Sequence, residues 1–275
     1  MNGLDYKSGG TKLESSDLDF LRFIKSIKDL TGIDLTQYKE AQMKRRLTTL
    51  RIKLGFTTFE TYFTAMAKDK KLLYEFLDRM TINVSEFWRN PNRWELLKDR
   101  FLPEMSATNK RLKVWSAACS TGEEPYTLAM IMKEQGILPN STILATDLDE
   151  IVLEKAKQGV YMDRSIRDVP PVFMRTYFRE EASLFHISPE LKTFIQFRKQ
   201  DLLADTFDND FDLIVCRNVM IYFTEEAKNK LYQKFATALK PGGLLFVGST
   251  EQIFTPSRYE LELADTFFYR KMAHK

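Results

Sequence analysis

The feature of this chain that most constrains its fold is an apolar run that stops abruptly in polar residues. Residues 211–223 read FDLIVCRNVMIYF, in which a buried-strand pattern gives way to Cys216, Arg217 and Asn218. A buried strand has no packing reason to carry such groups, whereas ligands bind at the carboxyl edge of open α/β sheets. The run therefore predicts a strand of a mostly parallel sheet with a ligand at its end.

Strand and helix patterns that alternate around this run predict a doubly wound sheet. The predicted strands are 112–118, 142–148, 193–197, 211–216 and 244–250, the helices are 93–105, 123–135, 149–157 and 224–239, and 240–243 is a turn. This spacing favours parallel pairing through right-handed crossovers. Two last runs, 259–263 and 266–271, are separated by Ala264 and Asp265 and predict an antiparallel C-terminal hairpin.

The part of the chain before residue 83 has helical periodicity only, so 15–82 are predicted to form a small all-α domain. Its first helix starts near Ser16, ends at Gly32, and has apolar residues at Leu18, Leu21, Ile24, Ile27 and Leu30. A basic helix follows within 39–54, and two more helices are predicted at 58–67 and 69–80. Residues 1–14 are predicted to be disordered, 83–92 to be a connector, and 93–275 to be the α/β domain with an insert at 159–192.

Composition excludes several classes of protein. No apolar run approaches the roughly 20 residues that a membrane helix needs, and the N-terminus has no secretory pattern. The two cysteines, Cys119 and Cys216, favour a reducing, cytoplasmic chain. With only His186 and His274 as histidines, the sequence predicts neither a metal site nor a histidine base. A net charge of +3 is too small to indicate a nucleic-acid-binding protein.

The turn after the first predicted strand is acidic. It has one glycine, Gly122, followed by Glu123 and Glu124, where a pyrophosphate-binding turn has several glycines and a bare helix start. The two acids also suit the helix dipole, which is the simpler explanation for them. Asp147 ends the second strand, where nucleotide-binding sheets carry an acid for ribose hydroxyls. Asp201 ends the third strand and suits an adenine amino group or a turn; together these acids suggest S-adenosylmethionine.

Five strings in this chain resemble the chemoreceptor glutamate methyltransferases of bacterial chemotaxis, the CheR family. They are MTINVSEFWR, WSAACSTGEEPY, ATDLD, CRNVMIYF and LKPGGLLFVG, and the resemblance runs in order from about residue 15 to 271. It implies a sheet of the class I S-adenosylmethionine-dependent methyltransferase type behind the all-α domain. It also implies methyl transfer from S-adenosylmethionine to receptor glutamates, with S-adenosylhomocysteine as product, in sensory adaptation.

The resemblance also implies a set of site residues. Positions that match the family's cofactor-binding residues are Asn83, Ser85, Arg89, Glu124, Asp147, Asp201, Leu202, Arg217 and Asn218. Arg89 and Tyr222 match positions near the transferred methyl group, and both are predicted to be catalytic. The family often has Thr at the position of Ser85 and also accepts Asn at that of Asp201.

The chemistry of a glutamate acceptor agrees with this residue set. A glutamate carboxylate has a reference pKa of about 4.3, so it is already a nucleophilic anion at neutral pH and needs no base. What the protein supplies is in-line positioning, worth several kcal/mol. Arg89 is predicted to orient the carboxylate, Tyr222 to border the methyl group and Asn218 to bind the cofactor. A surface ion pair and a packing aromatic are the simpler roles for Arg89 and Tyr222.

The basic helix is predicted to dock on the cytoplasmic helices of membrane chemoreceptors. The docking residues are Lys44, Arg45, Arg46, Arg51 and Lys53, with charge reversal at Arg46 and Arg51 predicted to reduce receptor methylation. A solvated helix face is the alternative. Part of the family grips a receptor C-terminal pentapeptide with a small antiparallel subdomain in the insert. Here the insert is short and has no glycine for tight hairpins at 178–194, so no such binding is predicted.

Two other functions compete with this prediction. A nucleic-acid methyltransferase is kept open by the basic helix, but CRNVMIYF lacks the proline turn of the amino-methylating enzymes. A non-catalytic sensor of S-adenosylmethionine is disfavoured by the combination of Arg89, Asn218 and Tyr222. The sequence predicts no nucleic-acid partner, no membrane insertion and a monomer.

Overall fold

A computed structural model describes residues 15–81 and 83–273, and the chain divides into two compact units after Phe76. The predicted disorder of residues 1–14 lies outside the described residues. No helix in the described ranges is long and apolar enough to cross a membrane.

The first unit is helical, as predicted. Its helices are α1 Ser15–Thr31, α2 Glu40–Lys53, α3 Phe59–Met66 and the start of α4 Lys70–Met80. The ring of Phe23 lies 4.8 Å from that of Phe59, 6.1 Å from that of Tyr62 and 5.8 Å from that of Phe76. Helix α2 buries Met43, Leu47 and Leu50, which recur at helical spacing on one of its faces, whereas Leu54, the residue after the helix, is half-buried.

The predicted apolar stripe of α1 is only partly correct. Leu18, Leu21 and Leu30 are each more than 40% exposed, whereas Phe20 and Phe23 are buried with Ile24 and Ile27. Positions spaced three apart drift by about 60° per step on a helix of 100° per residue, so five of them cannot share one face. The buried face is the narrower one that includes the two phenylalanines.

The second unit contains a seven-stranded sheet with the predicted mostly parallel order. Its strands in chain order are β1 Lys113–Ala117, β2 Thr142–Asp147, β3 Val160–Tyr161, β4 Phe178–Glu181, β5 Leu184–Ile187, β6 Ile195–Lys199, β7 Phe211–Cys216, β8 Leu239–Val247, β9 Leu261–Asp265 and β10 Phe268–Lys271. Seven of these form the sheet β6-β2-β1-β7-β8-β10-β9. The first five pair in parallel, and β10 is antiparallel to both β8 and β9. The doubly wound class with a terminal hairpin is confirmed.

Helices cover the sheet. They are α5 Pro91–Leu96, α6 Leu102–Thr108, α7 Glu123–Glu134, α8 Glu150–Gln158, α9 Asp163–Ile166, α10 Pro171–Tyr177, α11 Pro189–Lys192 and α12 Glu225–Ala238. The single helix predicted at 93–105 is interrupted by a π-helical segment, Leu97–Phe101, in which Leu102 donates to the carbonyl of Leu97. Pro103 has no N–H to continue the α-helical ladder, which accounts for a break at this point.

Two predicted turns differ in the structure. Residues 240–243 lie inside β8, where the pairing with β7 shifts from Phe211↔Leu239 to Leu213↔Leu244. A Cβ at Gly243 would lie 2.9 Å from the carbonyl oxygens of Lys240 and Phe211, so this bulge requires glycine. The hairpin between β9 and β10 turns at residues 266–267 rather than at 264–265, with Phe267 at φ 71°.

The insert contradicts the sequence prediction that it lacks tight hairpins. Strands β3, β5 and β4 form a three-stranded antiparallel sheet. Ala182 and Ser183 make the β4–β5 turn with φ values of 50° and 63°, the left-handed geometry that tight hairpins need and that glycine usually supplies. The prediction that no receptor peptide binds here is not tested by this finding and stays a prediction.

Candidate active site

The loop between β1 and α7 has an unusual backbone. Ala118, Ser120 and Gly122 all have positive φ, at 59°, 50° and 94°. Such conformations cost of order 1 kcal/mol or more for a residue with a side chain and persist where surrounding contacts impose them. At Gly122 a Cβ would lie 2.9 Å from the Cβ of Ala156 and 3.2 Å from the Tyr161 hydroxyl, so the loop has no room for a larger residue.

Asp147 fixes this loop from the end of β2. Its carboxylate accepts from the backbone N–H of Ser120 at 2.8 Å and of Asp149 at 3.0 Å. Burial raises its pKa to about 6, and these two backbone donors oppose the rise. A carboxylate has about four acceptor sites, so Asp147 retains capacity for the ligand hydroxyls expected at this position.

Asp149 links the connector, residues 83–92, to the same edge of the sheet. One of its oxygens accepts from the backbone N–H of Ile151 at 2.8 Å, which makes it the N-cap of α8. The other accepts from the side-chain amide of Asn83 at 3.0 Å. The structure thus brings Asn83 to Asp149, two residues after Asp147, although more than sixty residues separate Asn83 and Asp149 in the chain.

Glu124, in the first turn of α7, and Arg217, which follows β7, form a largely buried pair. The Glu124 carboxylate accepts from the Ser116 hydroxyl at 2.8 Å, and its other oxygen lies 3.7 Å from Nη1 of Arg217. Burial raises the pKa of Glu124 to about 7, while Arg217 and the Ser116 hydrogen bond oppose the rise. The same edge holds Glu123, whose pKa burial also raises and whose oxygens accept from Thr121 at 2.7 and 2.9 Å.

Arg217 is held rigidly by the connector. Its Nη2 donates to the carbonyl of Arg89 at 2.7 Å and to the side-chain oxygen of Asn90 at 2.8 Å. The guanidinium also lies over the rings of Trp94 and Phe246, 5.3 and 4.7 Å from their centres. Because Arg217 contacts Glu124 on one side and the Arg89 carbonyl on the other, it joins two of the predicted site segments.

The remaining predicted residues follow β6 and β7. Asp201 accepts from the backbone N–H of Leu203 at 2.8 Å and of Ala204 at 3.3 Å, so it shapes the turn in which Leu202 is buried. Asn218 has φ 62°, and Tyr222 ends a short 3-10 turn, Met220–Tyr222. Since β6 and β7 run parallel to β1 and β2, these side chains lie at the same edge of the sheet.

A cavity of about 250 Å³ borders the predicted site at Arg217. Its lining combines polar residues with the ends of β8 and β10: Asn90, Pro91, Asn92, Arg93, Arg217, Phe246, Val247, Ser249 and Phe267. Most of these residues were not predicted from the sequence.

The edge fits a cationic, hydroxyl-bearing ligand. Glu123 and Asp147 are buried and Glu124 is only slightly exposed, and desolvation raises the pKa of each, so a nearby positive charge would stabilise their ionised forms. Among the described residues, the buried Ser120 hydroxyl and the Nε of Arg217 have no hydrogen-bond partner, which leaves polar groups for a ligand. These groups suit the sulfonium, amino group and ribose of S-adenosylmethionine, and the acids would repel a diphosphate.

Comparison with known families agrees with this geometry. The family described as CheR methyltransferase, SAM binding domain, matches residues 83–268, and that described as CheR methyltransferase, all-alpha domain, matches residues 18–81. The chain belongs to the CheR methyltransferase family. It is therefore an S-adenosylmethionine-binding methyltransferase.

Relatives match over nearly their whole length. A chemotaxis protein methyltransferase of Listeria innocua serovar 6a is 45% identical, over 92% of this chain and 97% of that protein. One from Borreliella burgdorferi is 34% identical, over 84% and 87%. One from Escherichia coli K12 is 33% identical, over 87% and 86%.

Sequence reasoning missed several residues of this CheR-family site. Ser116 and Ser120 lie within the string WSAACSTGEEPY, which the sequence analysis singled out. Their contacts, however, depend on the left-handed backbone of the loop between β1 and α7. Asn90 and Trp94 contact the guanidinium of Arg217, but the sequence around them resembles an ordinary helix start. Glu251 is buried at 4% exposure in a loop whose sequence resembles a solvated turn. Its position directly after the predicted strand 244–250 was the one signal in the sequence.

Proposed function

We propose that this enzyme transfers the methyl group of S-adenosylmethionine to glutamate side chains of chemotaxis receptors. The products are glutamyl methyl esters and S-adenosylhomocysteine, and the modification serves sensory adaptation. The observation that supports it best is the set of buried carboxylates at a sheet edge without a phosphate cradle, in a chain of the CheR family. The names of its relatives point to chemotaxis proteins as the substrate.

The reaction is a displacement that needs no proton transfer. A carboxylate oxygen of the acceptor glutamate forms a bond to the methyl carbon as the carbon–sulfur bond breaks, and the electron pair stays on sulfur. S-adenosylmethionine, when bound, supplies the activated methyl group and its own leaving group. An ionised glutamate is present at neutral pH without a base, so the protein's contribution is position and electrostatics.

The predicted cofactor residues lie in three places along the edge of the sheet. Asp147 and Glu124 provide carboxylates for hydroxyl and amino groups, and Asn83 lies against Asp149 beside them. Asp201 and Leu202 border the opposite end, where an adenine would lie after β6. Ser85 hydrogen-bonds Glu123, which places it at the acidic side of this set. Arg217 and Asn218 close the edge at the end of β7.

Arg89 and Tyr222 are proposed to act on the acceptor. The backbone of Arg89 is fixed by two donors to its carbonyl, Nη2 of Arg217 and the indole N–H of Trp94 at 3.1 Å. A fixed backbone limits the positions that its half-buried guanidinium can take, which suits bidentate orientation of a carboxylate. Tyr222 is placed by the same β7 loop as Asn218, where its ring would border the methyl group and exclude water.

The basic helix α2 is proposed to dock on acidic receptor helices. Of its five predicted docking residues, Lys44 pairs with Asp17, and Arg51 donates to the carbonyl of Phe56 at 3.2 Å while lying 4.9 Å above the ring of Phe59. Arg45 and Lys53 are exposed, so these two are the best placed for an external partner. Clustered positive charge accelerates encounters with an acidic partner.

Incubation with methyl-labelled S-adenosylmethionine and receptor-containing membranes tests this function. We expect label in the receptor that alkali releases as methanol, because an ester hydrolyses where an N-methyl group does not. Receptors whose acceptor glutamates are changed to glutamine serve as the matched control and should take up no label. Alkali-stable label, or incorporation that ribonuclease removes, would overturn the proposal in favour of another acceptor.

A further inference from the structure

Glu251 is a buried acid that no predicted role accounts for. It lies four residues after the end of β8, is 4% exposed, and belongs to none of the strings that resemble the family. A carboxylate this deeply buried is costly unless it is paired or accepts several hydrogen bonds. Its contacts therefore indicate what it does.

The carboxylate of Glu251 binds backbone N–H groups from two loops. One oxygen accepts from Asn218 at 2.7 Å and from Gly248 at 2.8 Å, and the other accepts from Met220 at 2.7 Å. Backbone N–H groups that converge in this way form an anion-binding concavity, and here the chain's own acid fills it. These donors oppose the rise in the pKa of Glu251 that burial causes.

The segment that Glu251 holds carries proposed site residues. Asn218 sits in the left-handed region at φ 62°, and the 3-10 turn that starts at Met220 ends at Tyr222. Hydrogen bonds to Asn218 and Met220 therefore fix the backbone on both sides of Val219. The positions of the Asn218 amide and the Tyr222 ring depend on that backbone.

Gly248 gives Glu251 the room to reach this segment. A Cβ on Gly248 would overlap an oxygen of Glu251 and would lie 2.9 Å from the backbone nitrogen of Asn218. Since Gly248 is not among the glycines with positive φ, the requirement for glycine comes from this close approach rather than from its own backbone.

We propose that Glu251 is a positioning residue for methyl transfer, which holds residues 218–222 so that Asn218 meets the cofactor and Tyr222 meets the transferred methyl group. This inference rests on the proposed function. A residue that served stability alone would change the folded fraction but not the rate constants of the folded enzyme. The two roles are thus separated by kinetics.

The first test is Glu251→Gln. The three hydrogen bonds from the N–H groups of Asn218, Gly248 and Met220 to the Glu251 carboxylate are called the clamp below. Glutamine has the same shape as glutamate, but its amide nitrogen would face a backbone N–H, so the hydrogen bonding on one side of the clamp is lost. Rates are divided by active sites titrated with S-adenosylhomocysteine. We expect kcat to fall by about 10- to 100-fold, because misplacement by about 1 Å can cost this much. We expect KM for S-adenosylmethionine to rise a few-fold and KM for the receptor to stay unchanged.

Gly248→Ala disturbs the same clamp without removing its charge. We expect a similar fall in kcat, and in the double variant a loss no larger than that of the worse single variant, since both break one interaction. Faster amide exchange in residues 217–222 should accompany both changes.

Asp212→Asn is the matched control: Asp212 is also buried and accepts from the backbone of Lys113 at 2.7 Å, but it lies at the other end of β7. It should lower Tm and leave kcat and KM unchanged.

Wild-type kcat and KM per active site in Glu251→Gln and Gly248→Ala would overturn the inference, whatever their Tm. Failure of both variants to fold would also overturn it, because the clamp would then be a requirement of folding. If the wild-type enzyme itself forms no alkali-labile ester on receptors, the proposed function fails instead, and the two failures are distinguishable.

Discussion

Glu124 and Asp147 are largely shielded from water at the edge of the sheet that we propose binds the cofactor. Burial raises their pKa values to about 7 and about 6, so in the free enzyme both are partly protonated near neutrality. A cation or a set of hydroxyl donors that arrives at this edge favours the ionised forms. Cofactor binding should therefore be coupled to proton release.

We predict that the affinity for S-adenosylmethionine rises between pH 6 and pH 7.5, by up to about tenfold per pH unit below the pKa of Glu124. The sign follows from burial: raising the pH ionises Glu124, and only the ionised form attracts the ligand's positive charge. Glu124→Gln should bind more weakly at pH 7.5 and with a flatter pH dependence. Isothermal titration at several pH values measures this.

The exposed Glu180 provides the control for this prediction. Glu180→Gln should bind with the wild-type affinity and the wild-type pH dependence. An affinity for wild-type enzyme that falls as the pH rises through this range would show that the acids do not face the cofactor's cation.

At the scale of a single element, α2 combines a packing face with a charged face. Its buried Met43, Leu47 and Leu50 contact the helical core, and its basic residues lie on the rest of the helix. Reversing the charge of Arg51 would also break its contacts with Phe56 and Phe59, so that change cannot separate docking from stability. Charge reversal at the exposed residues Arg45 and Lys53 can separate the two effects.

We predict that Arg45→Glu with Lys53→Glu lowers kcat/KM for receptor by about tenfold at low salt, and by less at high salt, because exposed charges are screened. Affinity for S-adenosylhomocysteine should not change. Lys70→Glu with Lys71→Glu, at the exposed start of α4, is the matched control and should leave receptor methylation intact. Wild-type receptor kinetics in the α2 variant would remove α2 from the docking surface.

The insert hairpin is the second element with a testable feature. Ala182 and Ser183 adopt left-handed φ values that cost residues with side chains about 1 kcal/mol each. Ala182→Asn with Ser183→Gly, the sequence that this turn prefers, should slow amide exchange across β4 and β5. Ser183→Val should speed it, since a β-branched residue tolerates positive φ poorly. Unchanged exchange in both variants would contradict the turn geometry.

At the scale of the whole molecule, the proposed cofactor residues all belong to the second unit, after Phe76. That unit also contains all three tryptophans of the chain, Trp88, Trp94 and Trp115. Tryptophan fluorescence therefore follows the unfolding of the unit that binds S-adenosylmethionine. A ligand that binds the native state alone stabilises it by mass action.

We predict that S-adenosylhomocysteine at about 100 times its Kd stabilises this unit by about 2.7 kcal/mol, which moves the fluorescence midpoint by roughly 5–10 °C. The shift should be larger at pH 7.5 than at pH 6, because the buried acids are ionised at the higher pH. Thermal scans at both values measure it. A shift of equal size with NAD would indicate a different ligand class.

Much of the fold followed from local patterns. The strand FDLIVC has the predicted bounds in the structure, and the parallel order follows from helices that separate the strands. Besides the apolar face of α1 and the π-helical break in 93–105, the failures were at turns, where left-handed φ is set by the surroundings rather than by residue type. Ala182 and Ser183 form a hairpin without glycine, and 240–243 became a bulge inside β8 because Phe211 pairs with Leu239.

The sequence by itself determined the sheet, the helical unit and the chemical character of the ligand edge, because periodicity and the residues that end strands are local properties. Tertiary structure alone decided the contacts that make the edge a site. Asn90 reaches Arg217 across more than a hundred residues, Asn83 reaches Asp149, and Glu251 reaches Asn218. Such contacts depend on where backbone N–H groups and buried charges find partners once the chain has folded, and no local pattern encodes them.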